Sequence, residues 1–332
     1  MTQLPQLPLI DTFGRVHNNL RISVTDRCNL RCTYCMPEDA TFLDRSEILS
    51  FEEITRFVEI AVTLGIDKIR LTGGEPLLRR GLPELVRQLK QVSGVRDLGL
   101  TTNGLLLGEF AMALRVAGLS RLNISLDTLN PKTFRDLSRR DGLDRVLAGI
   151  EVANGVGFSS IKLNAVVIRG VNESEVVDLT KYAIERGLEM RFIEFMPIGA
   201  GPWEREKVVF AHEILESIEK DIGPLKPAEN FDPRAPAMDF QFVDRPGRVG
   251  IIASVSRPFC QKCNRIRLTA DGKLRNCLFA IDEVDVKERL RKDDREGVAS
   301  VIRQVVTDKW EGHEINTARF IKPLRTMHAI GG

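Results

Sequence analysis

The chain has few cysteines, 6 among 332 residues, and no apolar run close to the ~18 residues that cross a bilayer. Its 48 basic and 46 acidic side chains leave a net charge of +2. Nothing therefore draws the whole surface to nucleic acid or an anionic membrane, and any anion site has to be local. The first residues carry Pro8 and Asp11 where a secretory leader has its apolar stretch, so a cytoplasmic location is expected. With 26 glycines, 15 prolines and 43% hydrophobic residues, collagen-like, low-complexity and disordered chains are excluded. At ~100–200 residues per domain, two domains are expected. The change in composition places them at 1–222 and 223–332.

The cysteines fall into two groups of three, Cys28, Cys32 and Cys35, then Cys260, Cys263 and Cys277. A reducing compartment and a core this large disfavour a disulfide framework. A closed structural zinc site wants four ligands, and each group supplies three, with His17, His212, His313 and His328 all distant in sequence. A catalytic zinc with three ligands and a water fits the count; so does a 4Fe-4S cubane with one iron left open.

Short β-rich runs recur at Arg21–Thr25, Lys68–Thr72, Leu98–Thr102, Arg121–Leu126, Ile161–Val167 and Glu189–Phe195, separated by helical patterns. The clearest helix starts at Ser50 with Glu53 three residues on, buries Ile54, Phe57, Val58 and Ala61, and stops at Gly65. Parallel strands need crossover helices, so this alternation predicts an α/β fold, an incomplete (β/α)6 TIM-type barrel two units short of the usual eight. After about Gly199 come a helix over 208–220, a Pro-rich loop stretch and a smaller α+β domain expected to cover the open side. In that domain Arg265–Ala270 and Lys273–Leu278 read as a hairpin with a two-residue turn at Asp271-Gly272, which brings Cys277 back toward Cys263.

Basic residues sit inside predicted strands, at Arg21, Lys68, Arg70, Lys162 and Arg191, with Arg265 and Arg267 on the hairpin. Buried parallel strands are usually apolar throughout. Seven cations facing the lumen without anionic partners would be costly, so a polyanionic ligand is expected there. Thr72-Gly73-Gly74-Glu75-Pro76 reads as a loop whose glycines admit a close backbone approach to a ligand.

The stretch from Asp26 to Cys35 resembles the cysteine loop of the radical S-adenosylmethionine (SAM) enzymes. With Ile69 to Pro76, Thr101-Thr102-Asn103-Gly104, Asn123 to Asp127, Cys260 to Arg267 and Gly331-Gly332, the whole chain is similar to the GTP 3′,8-cyclase family. The resemblance implies one 4Fe-4S cluster on Cys28, Cys32 and Cys35, whose open iron holds SAM. A second is implied on Cys260, Cys263 and Cys277, whose open iron holds the guanine of GTP. It implies SAM contacts at Tyr34, Gly74, Ser125 and Met196, and GTP contacts at Arg21, Lys68, Arg70, Thr101, Lys162, Arg191, Arg265, Ile266 and Arg267. Catalytic assistance is implied for Arg265, Arg267, Gly331 and Gly332. The reaction implied is cyclisation of GTP to (8S)-3′,8-cyclo-7,8-dihydroguanosine 5′-triphosphate, the opening step of molybdenum cofactor biosynthesis. Its implied partners are an external one-electron reductant, a downstream cyclic pyranopterin monophosphate synthase and a second copy of the chain in a homodimer. From cysteines alone, an iron-sulfur electron carrier and a zinc-stapled binding module also fit, and a radical SAM peptide-modifying enzyme is a nearer rival. A carrier normally closes each cluster with four thiolates, and a peptide does not call for seven lumenal cations.

Overall fold

A computed structural model describes residues 8–199, 201, 203–229 and 232–332. The first seven residues of the domain expected at 1–222 lie outside the described residues. Strand and helix alternate as expected: β1 (Asn19–Ser23), α1 (Phe51–Thr63), β2 (Lys68–Thr72), α2 (Leu82–Gln91), β3 (Asp97–Thr102), α3 (Leu107–Val116) and β4 (Arg121–Ser125). Then follow α4 (Pro131–Ser138), α5 (Leu143–Val156), β5 (Ser160–Val167), α6 (Val176–Glu185) and β6 (Glu189–Glu194). At the start of α1 the Ser50 hydroxyl accepts the Glu53 N–H at 3.2 Å, and the Glu53 carboxylate accepts the Ser50 N–H at 2.7 Å. Gly65, at φ +99°, turns the chain beyond its end.

Side chains alternate across each strand. In β1, Leu20 and Ile22 are fully buried beneath the helices, while Asn19 and Arg21 face the lumen. In β2, Ile69 and Leu71 take the core face and Lys68 and Arg70 the lumen. The apolar half of each strand thus makes the core with the helices, and the polar half is left to line a site.

The tail supplies α7 (Ala211–Asp221), β7 (Leu225–Pro227), β8 (Met238–Phe242), β9 (Arg248–Ile252), β10 (Arg265–Leu268), β11 (Lys273–Arg275), β12 (Val284–Asp285), α8 (Lys287–Arg291), α9 (Arg295–Thr307) and α10 (Met327–Ile330). One sheet runs in the order β12-β11-β10-β1-β2-β3-β4-β5-β6-β9-β8-β7. Tail strands therefore extend both edges of the partial barrel, β10 parallel to β1 and β9 parallel to β6.

Three local expectations are corrected. The helix expected over 208–220 begins at Ala211, where the Glu213 carboxylate accepts the Phe210 N–H at 2.9 Å as a cap. The Pro-rich stretch contains β7, because pairing with β8 outweighs its loop composition. The β10–β11 connection spans Thr269 to Gly272 rather than two residues, since the Thr269 hydroxyl engages both Asp271 Oδ1 and the Lys273 N–H and holds the loop open.

Glu194 locks the tail to the barrel. Fully buried at the end of β6, its carboxylate accepts N–H groups of Ala211 at 2.9 Å, Val255 at 2.7 Å and Ser256 at 2.8 Å, as well as the Ser256 hydroxyl. The segment leading to Cys260 is thereby held against the barrel.

Candidate active site

The lumen is one cavity of about 550 Å³, and all six cysteines and all seven strand-borne cations line it. The first three cysteines occupy the loop that leaves β1. Its fold follows from Gly73 and Gly74: a Cβ on Gly74 would lie 2.5 Å from the carbonyl oxygens of Asp26 and Arg27, and one on Gly73 would lie 2.6 Å from that of Thr25. The glycines are required because the exit of β2 lies flush on the cysteine loop's own backbone, with Gly74 N–H donating to Thr25 O and Glu75 N–H to Arg27 O, each at 2.7 Å. Close approach to a ligand is therefore not their only reason.

Glu75 is fully buried and accepts from Leu77 N–H at 3.0 Å, the Thr102 hydroxyl at 2.8 Å and Asn103 N–H at 2.7 Å; burial pushes its carboxyl up to about 7. It sets Asn103, whose amide reaches Asn29 Oδ1 at 2.8 Å and the Cys28 sulfur at 3.8 Å. The Thr101-Thr102-Asn103-Gly104 motif thus buttresses the cysteine loop. Thr101 itself, Ser125, Gly74 and Met196 line the lumen. The Tyr34 phenol donates to Asp127 at 2.5 Å, and Asp127, raised to about 6 by burial, also accepts the Val166 N–H at 2.8 Å.

The thiols of this loop are hard to ionise without a metal. Burial pushes Cys28 up to about 11 and Cys35 up to about 12, with Glu75 adding to the rise at Cys28 and Cys28 to that at Cys35. At the tail site burial also opposes ionisation of Cys263, but Arg265 and Lys309 beside it win and hold it at about 6. No three His, Cys, Asp or Glu side chains among the described residues close around a single ion. A cubane does not ask for that geometry, since each thiolate binds a different iron. Two sets of three sulfurs on one lumen, each set close enough for its charges to interact, suit two clusters.

Three of the seven cations have carboxylate partners, which revises the expectation of unpaired charge. Lys68 meets Asp232 at 3.0 Å, Lys162 meets Glu189 at 2.8 Å, and Arg191 meets Glu189 at 2.6 Å and Asp239 at 3.3 Å. Partial burial alone would raise Glu189, but Arg191 and Lys162 pull it below the usual range. Arg121, which sequence reasoning missed, also lines the lumen and pairs with Asp97.

The other four cations lack carboxylates among the described residues. Arg70 Nη1 is buried with no partner, Arg265 reaches the Cys263 sulfur at 3.6 Å, and Arg267 donates to Gly331 O at 2.7 Å. Burial and the neighbouring Arg267 and Arg265 depress Arg21 well below its usual value; burial with Arg21 and Arg121 takes Arg70 to about 9. Guanidinium groups stay protonated, so these depressions register a lumen short of negative charge. The polyanion argument therefore rests on Arg21, Arg70, Arg265 and Arg267. Ile266 between the last two is fully buried in the core, so its side chain is not on the lumen.

The last residues are docked. Arg325 binds Asp271 at 2.6 Å and Glu283 at 3.1 Å, and the His328 ring stands edge-on to Phe42. Gly331, at φ +85°, fits where a Cβ would meet Thr72 Oγ1 at 2.7 Å and Ser23 Cβ at 2.8 Å, and Gly332 lines the cavity. Among the described residues, no helix is long and apolar enough to cross a membrane.

Residues 22–183 match the Radical SAM superfamily, and residues 188–315 match Molybdenum Cofactor Synthesis C. The chain is 49% identical to a GTP 3′,8-cyclase of Rhodopirellula baltica over 98% of this chain and 92% of that protein. It is 46% identical to one of Streptomyces coelicolor over 98% and 96%. The crystal structure of Streptococcus suis SuiB bound to S-adenosylmethionine aligns with a TM-score of 0.62 at 16% identity, over 90% of this chain and 68% of that one, a likeness of fold.

Proposed function

The chain belongs to the GTP 3′,8-cyclase family of radical SAM enzymes, and on that premise we propose that it cyclises GTP to (8S)-3′,8-cyclo-7,8-dihydroguanosine 5′-triphosphate inside the lumen. The observation that supports this most is the single cavity lined by both three-cysteine sites and the carboxylate-free arginines. Cys28, Cys32 and Cys35 would hold one 4Fe-4S cluster and Cys260, Cys263 and Cys277 the other. When bound, the first cluster and SAM supply the one-electron cleavage that delivers a 5′-deoxyadenosyl radical.

The chain's own residues place and enclose the reactants. Tyr34, Gly74, Ser125 and Met196 line the SAM side. Arg21, Arg70, Arg265 and Arg267, with Thr101, face the nucleotide, and forked guanidinium groups suit phosphate oxygens. Lys68, Lys162 and Arg191 add charge once a triphosphate competes with Asp232, Glu189 and Asp239. Arg267 also holds Gly331, which sets the double glycine at the cavity. The barrel unit at 1–222 carries the SAM side and the unit at 223–332 the second cluster. Cleavage of SAM takes one electron per event, which an external reductant supplies. The product passes to a cyclic pyranopterin monophosphate synthase, and the chain works as a cytoplasmic homodimer.

Anaerobic reconstitution tests the proposal. About eight irons per chain, with GTP-dependent release of 5′-deoxyadenosine and a cyclised nucleotide, are expected. SAM cleavage without GTP consumption would discard the substrate, and zinc without iron would discard the enzyme.

A further inference from the structure

Lys309 follows α9 and is 4% exposed on the wall of the lumen. Its ammonium donates to the carbonyl of Arg265 at 2.9 Å and to that of Asn276. These carbonyls lie two residues beyond Cys263 and one before Cys277, so one side chain ties together the two segments that supply the tail sulfurs. The third ligand is held from elsewhere: the Arg15 guanidinium, 7% exposed, donates to Cys260 O at 2.8 Å, Glu311 O at 2.7 Å and Trp310 O at 2.6 Å.

The two cations differ in one respect. Arg15 is neutralised by Asp11, 2.5 Å from its Nε and itself bonded to buried His17. Lys309 has no carboxylate within ion-pair distance among the described residues; its bonds are to carbonyl dipoles alone. A buried ammonium without a counter-ion is unfavourable unless an anion belongs beside it. Lys309 lines the same cavity wall as Cys260, Cys263 and Cys277, and its two carbonyl bonds hold its charge beside the segments that carry Cys263 and Cys277. A doubly positive 4Fe-4S core on three thiolates carries one net negative charge, and two once reduced.

We propose that Lys309 is the counter-charge of the tail cluster and favours its reduced state, while Arg15, already neutralised, serves as a positioning residue for the Cys260 turn. This rests on the reading that the tail cysteines hold a 4Fe-4S cluster. A cation fixed in a poorly screened interior stabilises the more negative form of a redox centre, which raises its potential.

The test uses the full chain with Cys28, Cys32 and Cys35 changed to Ala, reconstituted with iron and sulfide and titrated reductively with detection by electron paramagnetic resonance. The parent is expected to hold about four irons. K309M is expected to keep that iron and shift the midpoint to a more negative value, with K309R staying at the parent's midpoint. R15K is expected to leave the midpoint in place and to lose iron faster to a chelator. If the parent takes up no iron, the cluster reading falls and the proposal with it. Iron in place with K309M at the parent's midpoint overturns the proposal alone. Should K309M take up no iron, melting of the metal-free chain decides: a melting temperature equal to the parent's assigns the loss to charge, and an equal fall in K309M and K309R assigns it to packing and overturns the proposal.

Discussion

Cys28, Cys32 and Cys35 sit on one short loop with Glu75 and Asp127 nearby, whereas Cys260, Cys263 and Cys277 are gathered from two segments beside Arg265 and Lys309. Burial raises the thiols of the first loop, and the neighbouring carboxylates reinforce it. At the tail site the cations reverse the effect at Cys263. Ligand number is the same in both places, so the difference lies in the electrostatics each fold supplies. At the first site a bound metal would have to draw the protons from the sulfurs. At the second, Cys263 alone is held low, while burial raises Cys260 as in the first loop.

The sharpest way to break this pairing is to remove one ligand from each site. Cys35→Ala should abolish SAM cleavage altogether, while Cys277→Ala should keep uncoupled cleavage and lose cyclisation, read as 5′-deoxyadenosine and cyclised nucleotide in one assay. Equal loss of both in Cys277→Ala would mean that the two sites do not divide the labour.

A smaller effect is expected where the tail meets the lumen. Gly331→Ala places a methyl group against Thr72 and Ser23 at a positive φ, so the last residues must shift. Cyclisation should fall by about tenfold or more, the ~1.4 kcal/mol scale of a modest displacement, with iron content unchanged. Wild-type turnover would show that the docked pose of these residues is not used.

The mildest test compares the thiols of the metal-free chain. Cys263, depressed to about 6, is mostly thiolate at pH 7 and should be alkylated by iodoacetamide well before Cys28 and Cys35, which gain thiolate only as the pH approaches about 11 and about 12. Lowering the pH to 5 should slow Cys263 about tenfold, because it then takes up its proton, while leaving it ahead of Cys28 and Cys35. Mass spectrometry of the modified peptides reads the order, and equal rates at pH 7 would erase the contrast between the sites.

The strands and α1 are legible in the sequence because apolar and polar residues alternate with a period of two and a capping box marks the helix start. The cysteines and seven cations are legible because each is out of place, thiols crowded in a loop and charges inside buried strands. The counter-charges are not. Lys162 and Glu189 lie far apart in sequence and become neighbours through the register of β5 on β6, and Asp239 reaches Arg191 from β8 across β9. Gly73 and Gly74 stand out as glycines, but that they clear the cysteine loop's backbone depends on how two loops stack. Lys309 and Arg15 act on carbonyls, which any residue presents, so their partners leave no mark in the sequence.

The placement of β9 and β10 on opposite edges of the partial barrel bears on how the chain is made. Until about residue 252 has left the ribosome β6 presents an unpaired backbone edge, and until about residue 268 β1 does, the surfaces on which strands of other chains add and aggregates start. Completing β1 requires a partner some 245 residues downstream, a loop closure that slows folding. The order of the sheet therefore makes the nascent barrel dependent on its tail for solubility as well as for chemistry.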